Sequence, residues 1–406
     1  MLKYYVALSV VFFIVTVPLV FKENINTFDA LDERNYHYPA ILNFADTFPN
    51  LDLQNYKSAT TPLYHLVMMS VLKLTNLGLN GLRLLSSLFS LACVLVVFRY
   101  LASKFANGNK ALLLTLLFLL STYFLGATIR LETDNLALLF VFLTIIVLDT
   151  QPLSLTRFLG AAVTATLAVL TRQIHLWLVG LGGFITLFQW NAPLGRRLVG
   201  AAVMLLPALM LLPFLLLWRG LSPVTFNDSH QANFINIDNF AYGISVLGAL
   251  AFAFCPWYWR IYKENRPNPL ILAGVAALAL IYLLVFPVGA QGRLDGSVWK
   301  FAELLPNIGG VSILFWVIFP LGMVLYALTV IDGLRHKDLL LPVAAALWLV
   351  ANLASAIGYQ KYFEPFWLFY IAVSIKRITD EKRYYWILPV LLILAFIAFD
   401  IGRFYL

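Results

Sequence analysis

Charge is scarce in this chain. Only 12% of its 406 residues are Asp, Glu, Lys or Arg, against 61% hydrophobic residues. That leaves too little polar surface for a soluble fold of this size. Cysteine is scarcer still: Cys93 and Cys255 both lie inside apolar runs, so nothing points to a disulfide framework. There is no glycine-rich phosphate loop, no GxSxG and no zinc-ligand spacing among the histidines and cysteines. No cofactor is therefore required, and a divalent metal is permitted but not indicated. The net charge of +8 is not gathered on one aqueous surface, so nucleic acid is not an expected partner.

Long apolar runs are abundant. Spans are expected at about 4–21, 83–103, 111–127, 135–149, 157–171, 174–190, 198–218, 240–259, 269–288, 309–331, 339–357, 363–375 and 384–401. The expected fold is all-α: a polytopic membrane protein of about 13 transmembrane helices, since only helices or closed barrels satisfy their backbone in lipid and barrels alternate rather than run apolar. The expected organisation is one transmembrane domain over 1–406 with no separate soluble domain. Segment 62–80 is apolar but carries or adjoins Pro62, His65, Lys73, Gly78 and Gly81. If it lies in the interface, the basic clusters Arg99/Lys104/Lys110, Arg196/Arg197, Arg260/Lys263/Arg266, Arg335/Lys337 and Lys376/Arg377/Lys382/Arg383 share one side. The positive-inside rule makes that side cytoplasmic. The N-terminus is then cytoplasmic, and 22–82 is the first non-cytoplasmic loop, carrying interfacial helices.

Acids gather on the other side. Asp32 and Glu33 follow the first span, flanked by Tyr36, His37 and Tyr38. A carboxylate there can serve as general base to an attacking hydroxyl, with the aromatics and His37 shaping a pocket for a sugar ring. It can equally be a helix N-terminal acid pair in a solvated loop. In "TIRLETDNLALLF", Arg130, Glu132 and Asp134 share a short loop; Asp134 either N-caps the next span or joins Arg130 in the same cavity as Asp32. Arg172 in "VLTRQIHLWLV" can grip a phosphate or snorkel to headgroups. His230 in "NDSHQANF" and Lys361 and Tyr362 in "GYQKYFEPFWLFY" are further candidates for substrate or phosphate binding; a loop histidine and an interfacial lysine are their structural alternatives.

Taken in order, the acid pair, "TTPLYHLVMMSVLKL", "LRLLSSLFSLACVLVVFRYL", "RLETDNLALLFVFL" and "KYFEPF" resemble the GT-C superfamily of integral-membrane glycosyltransferases. "LDERNYHYPAILNFAD", "TRQIHLW" and "NDSHQANFINIDNFAYG" are similar to the eukaryotic dolichyl-phosphate-glucose alpha-1,2-glucosyltransferase family. The resemblance implies a GT-C-like fold and an inverting hexosyl transfer. The sugar comes from a polyprenyl- or dolichyl-phosphate donor and goes to a lipid-linked glycan or other acceptor hydroxyl on the non-cytoplasmic face. The membrane is a bacterial or archaeal plasma membrane or the endoplasmic reticulum. It implies Asp32 as base, Glu33 as second choice, Asp134 as assisting acid, and Arg172 and Lys361 as phosphate ligands. The competing class is a lipid-linked saccharide flippase or transporter, which calls for polar residues at the bilayer centre and internal symmetry.

Overall fold

The computed structural model describes all residues except 23–26, 106, 227–234, 290–292, 379–381 and 406. The described chain is mostly helical. Six helices are long and apolar enough to cross a membrane: Leu2–Val20, Leu79–Lys104, Leu194–Trp218, Ile237–Asn265, Ile313–His336 and Arg383–Tyr405. The pair Gly108–Leu119 and Thr122–Thr128, bent by 68°, makes a seventh if counted as one span. This is fewer than the 13 or so expected. Several apolar runs form shorter helices, among them Leu63–Thr75, Leu155–Thr171, Gln173–Gln189, Pro269–Val285 and Leu340–Asn352. An apolar run measures composition, whereas helix length also depends on where the backbone breaks, as at Arg172, whose φ of −148° ends one helix before the next begins. Leu63–Thr75 ends at Asn76, in the left-handed region at φ 53°. Its length is about 20 Å, short of a hydrocarbon core of about 30 Å.

The chain divides into two compact units, Met1–Gln231 with Ile397–Leu406, and Ala232–Phe396. In the first, Leu2–Val20 runs antiparallel to Leu79–Lys104. Arg83 Nη1 reaches Val20 O at 3.3 Å at one end, and Tyr5 meets Phe98 edge-on at 5.2 Å at the other. Leu155–Thr171 buries Ala161, Ala165 and Ala168, an i, i+4, i+7 stripe, and packs on Asp134–Asp149. Small side chains let helix backbones approach closely where lipid gives no hydrophobic drive between helices.

In the second unit, Ile237–Ala251 crosses Ile313–His336 at two glycines. A Cβ at Gly248 would lie 1.9 Å from Ile318 O, and one at Gly322 would lie 2.2 Å from Ile244 O. Arg293–Asp295 and Ile357–Tyr359 form a two-stranded parallel ladder. It delivers the chain into Gln360–Ser374, a helix buried along most of its length.

Candidate functional site

The acid pair sits where a helix changes its winding. Thr27 caps the start, its hydroxyl accepting from Ala30 N at 3.4 Å. Phe28–Asp32 is α-helical, and the helix then widens to a π turn over Glu33–His37, with Tyr38 N–H bonding Glu33 O. Pro39 follows at once. It has no N–H to continue the i→i−4 ladder, and its ring crowds the preceding turn, which accounts for the widening. Asp29, Glu33 and His37 fall on one face and are 1%, 2% and 7% exposed. Asp32 is half-buried, while Arg34, Asn35 and Tyr36 are exposed.

The buried face is paired. Asp29 bonds Arg403, over Gly126, where a Cβ would lie 2.6 Å from Asp29 Oδ2. Glu33 accepts from Arg83 Nε at 2.9 and 3.1 Å, again from Arg83 Nη2, and from Leu131 N at 2.9 Å. Glu33, expected as the alternative base, is thus buried and engaged on both carboxylate oxygens. His37 Nε2 lies 3.3 Å from Glu132 Oε2, so His37 faces a buried acid and not a sugar pocket.

Glu33 and His37 tie the first loop to the turn at 129–133. Arg130, 1% exposed, donates through Nη2 to Lys22 O at 3.1 Å. Among the described residues its Nε and Nη1 have no partner. Burial, and next the charge of Arg83, push its guanidinium down to about 10. Asp134 opens the next helix, but Thr133 holds the cap position; Asp134 pairs with Arg172 instead. Arg172 is therefore engaged with an acid. Next to it, Gln173 donates to Ala59 O at 2.7 Å and accepts from Thr61 N at 3.1 Å. These bonds fasten the loop before Leu63–Thr75 onto the same region.

Arg34 and Arg83 line a cavity of about 440 Å³ together with Gly78, Leu79, Asn80 and Gly81; Arg83 is paired with Glu33, and Arg34 is the exposed cation on its wall. Further along the Leu79–Lys104 helix, Lys104 pairs with Asp149. Arg83 and Lys104 are about 30 Å apart at 1.5 Å per helical residue, close to the thickness of a hydrocarbon core.

No protein-family model matches the chain, and no curated protein matches it in sequence. Among solved structures, the chain is similar to ArnT from Cupriavidus metallidurans bound to undecaprenyl phosphate, at 14% identity over 92% of this chain and 77% of that one, with TM-score 0.46. It is likewise similar to the apo state of ArnT, at 15% identity and TM-score 0.44. The archaeal oligosaccharyltransferase AglB from Archaeoglobus fulgidus, in complex with an inhibitory peptide and a dolichol-phosphate, is 15% identical over 99% of this chain, with TM-score 0.49. This chain spans 55% of the AglB chain.

The remaining candidates lie elsewhere. Lys361 and Tyr362 belong to the second unit, where Lys361 is buried with its Nζ 5.9 Å from the Tyr362 ring. Beside them Gln360 holds Glu364 at 2.8 Å and accepts from Val298 N at 2.8 Å. His230 falls outside the described residues. Among the described residues no group of three or more His, Cys, Asp or Glu is placed to hold a metal ion. The residues missed from sequence are Arg83, His65 and Tyr56. Arg83 carried a usable signal, as the lone charge inside the first turns of a long apolar helix, where an ionised group needs a partner.

Proposed function

We propose that the chain is an inverting GT-C-type glycosyltransferase that takes a sugar from a polyprenyl-phosphate donor, with Asp32 as general base. The observation that carries this reading is the division of labour within the acid pair. Glu33 is buried under Arg83, while Asp32, on the other face of the same turn, reaches the surface beside exposed Arg34. A base must be both ionised and reachable by the acceptor hydroxyl. In the proposed step Asp32 takes the hydroxyl proton and the acceptor oxygen bonds the anomeric carbon. The bond from that carbon to the phosphate oxygen breaks from the opposite side, and the lipid phosphate leaves with the electron pair.

The leaving group gains negative charge, which fixed cations stabilise. Arg34 at the cavity, with Arg130 behind it, supplies positive charge, while Arg83 is paired with Glu33. Asp134 and Arg172 brace the turn that faces the acid pair. The non-cytoplasmic face is the proposed side of the reaction, because the positive-inside rule assigns the basic clusters of the sequence to the cytoplasm.

The test is sugar transfer by the purified chain. It is supplied with polyprenyl- and dolichyl-phosphate sugars and lipid-linked acceptors, wild type beside Asp32→Asn. Transfer that falls at least about 100-fold in a folded variant supports the base. Undiminished transfer by the variant removes Asp32 from the mechanism. Donor binding without transfer by wild type favours the flippase.

A further inference from the structure

Four buried side chains lie on one line of hydrogen bonds. Tyr56 Oη bonds His65 Nδ1, His65 Nε2 lies 2.9 Å from His37 Nδ1, and His37 Nε2 lies 3.3 Å from Glu132 Oε2. The line joins the loop before Leu63–Thr75, that helix, the π turn and the 129–133 turn. Phe44 and Trp218 stack on Tyr56 at 5.2 and 6.4 Å and close its end of the line.

With Glu132 ionised, one order of protons satisfies every contact without charging either ring. Burial raises the Tyr56 phenol, so it stays an O–H and donates to His65. A neutral ring that accepts at Nδ1 carries its proton on Nε2. His65 then donates to His37, and His37 donates to the Glu132 carboxylate. The reverse order protonates both rings at Nδ1, turns Tyr56 into an acceptor and needs a protonated Glu132 as the donor to His37 Nε2. His65 resists charge, held well below its usual range by burial and by the neighbouring His37. The other polar groups around the line are Tyr64, edge-on to both rings with its hydroxyl 2.9 Å from Ser86 Oγ; Ser58 and Thr60 near the Tyr56 hydroxyl; and the carboxylates of Glu33 and Asp134 beyond Tyr64.

We propose that Tyr56, His65 and His37 form a tautomer-locked positioning relay that holds Glu132 ionised and aimed within the turn it shares with Arg130 and Asp134. Its use in turnover rests on the transferase reading above. The lock itself belongs to the folded chain and is measured without turnover.

The test is nitrogen NMR of the full chain in nanodiscs with 15N-labelled histidine, with His37 and His65 assigned by His37→Gln and His65→Gln. Wild type is expected to show two rings protonated at Nε2 only, unchanged from pH 5 to 8. Tyr56→Phe removes one hydroxyl and is expected to give His65 mixed tautomers and to let His37 titrate near its ordinary value of about 6.5. Rings protonated at Nδ1 or an imidazolium signal from His37 in wild type at pH 7, or a Tyr56→Phe spectrum identical to wild type, overturns the relay. If Tyr56→Phe fails to fold, titration of His37 in His65→Gln makes the same decision. Where transfer is measurable, Tyr56→Phe should lose turnover several-fold between pH 7 and 5.5 at constant donor KM, and wild type should not. If wild type shows no transfer, the functional proposal fails while the NMR result still decides the relay.

Discussion

Arg83 reaches across from the Leu79–Lys104 helix and closes on Glu33, its Nε 2.9 Å from one carboxylate oxygen and 3.1 Å from the other. Both side chains are less than a tenth exposed. Removing one partner leaves an uncompensated buried charge, at a cost of about 3–5 kcal/mol, whereas removing both costs much less. Arg83→Gln is therefore expected to lower the thermal midpoint in detergent sharply, and Arg83→Gln with Glu33→Gln to recover most of it. Asp32→Asn should leave the midpoint near wild type while abolishing transfer. Equal destabilisation by Asp32→Asn and Glu33→Gln would contradict the separation of roles.

Arg34 is exposed on the wall of the cavity. Its loss should be felt by the donor and not by the fold. Losing one charge-assisted hydrogen bond of about 1.5 kcal/mol corresponds to roughly a tenfold rise in donor KM. Steady-state kinetics of Arg34→Gln against a lipid-phosphate sugar, with thermal unfolding beside them, measure both.

Arg130 is buried, with two of its nitrogen groups unpartnered among the described residues. A buried polar group without partners destabilises the fold. Arg130→Met is expected to raise the thermal midpoint and to weaken transfer. The pH dependence has a definite sign. The folded guanidinium is pushed down to about 10, below its ordinary value. Below pH 10 it is charged whether folded or unfolded, and the burial cost is present in full. Above pH 10 the folded state sheds its proton first and the cost is relieved. The difference in midpoint between Arg130→Met and wild type should therefore shrink as pH is raised from 8 to 11.

Gly248 and Gly322 let two helices of the second unit touch backbone to backbone. Gly322→Ala places a methyl against Ile244 O, and overpacking of this kind costs about 1–3 kcal/mol or more. Gly274→Ala, where a Cβ meets nothing within 4 Å, is the control and should leave the midpoint unchanged or raised. Thermal unfolding of both variants decides it; an unaffected Gly322→Ala argues against the close crossing.

Part of this cluster is legible in the sequence. The acid pair, Arg130, Asp134, Arg172 and His37 were all marked by polarity in apolar surroundings, and the folded first unit brings the two acidic loops together through Glu33–Leu131 and His37–Glu132. Their roles were not legible. Glu33 resembled Asp32 until the helix direction put it on the inner face. His37 stands among tyrosines in the sequence, which suggests a sugar contact; in the fold it meets His65 and Glu132. The count of about 13 spans is not matched by the six or seven long apolar helices among the described residues, because hydropathy averages across breaks such as Arg172.

The sequence by itself determined the solvent of this protein, its helical class and the few places where charge is tolerated, because each follows from local composition and from the cost of burying polar backbone. That Glu33 is buried under Arg83 while Asp32 is half-buried, and that Tyr56, His65, His37 and Glu132 meet, only the tertiary structure decided. Those pairings join residues up to dozens of positions apart, and they depend on the angles at which helices dock, which no local pattern encodes.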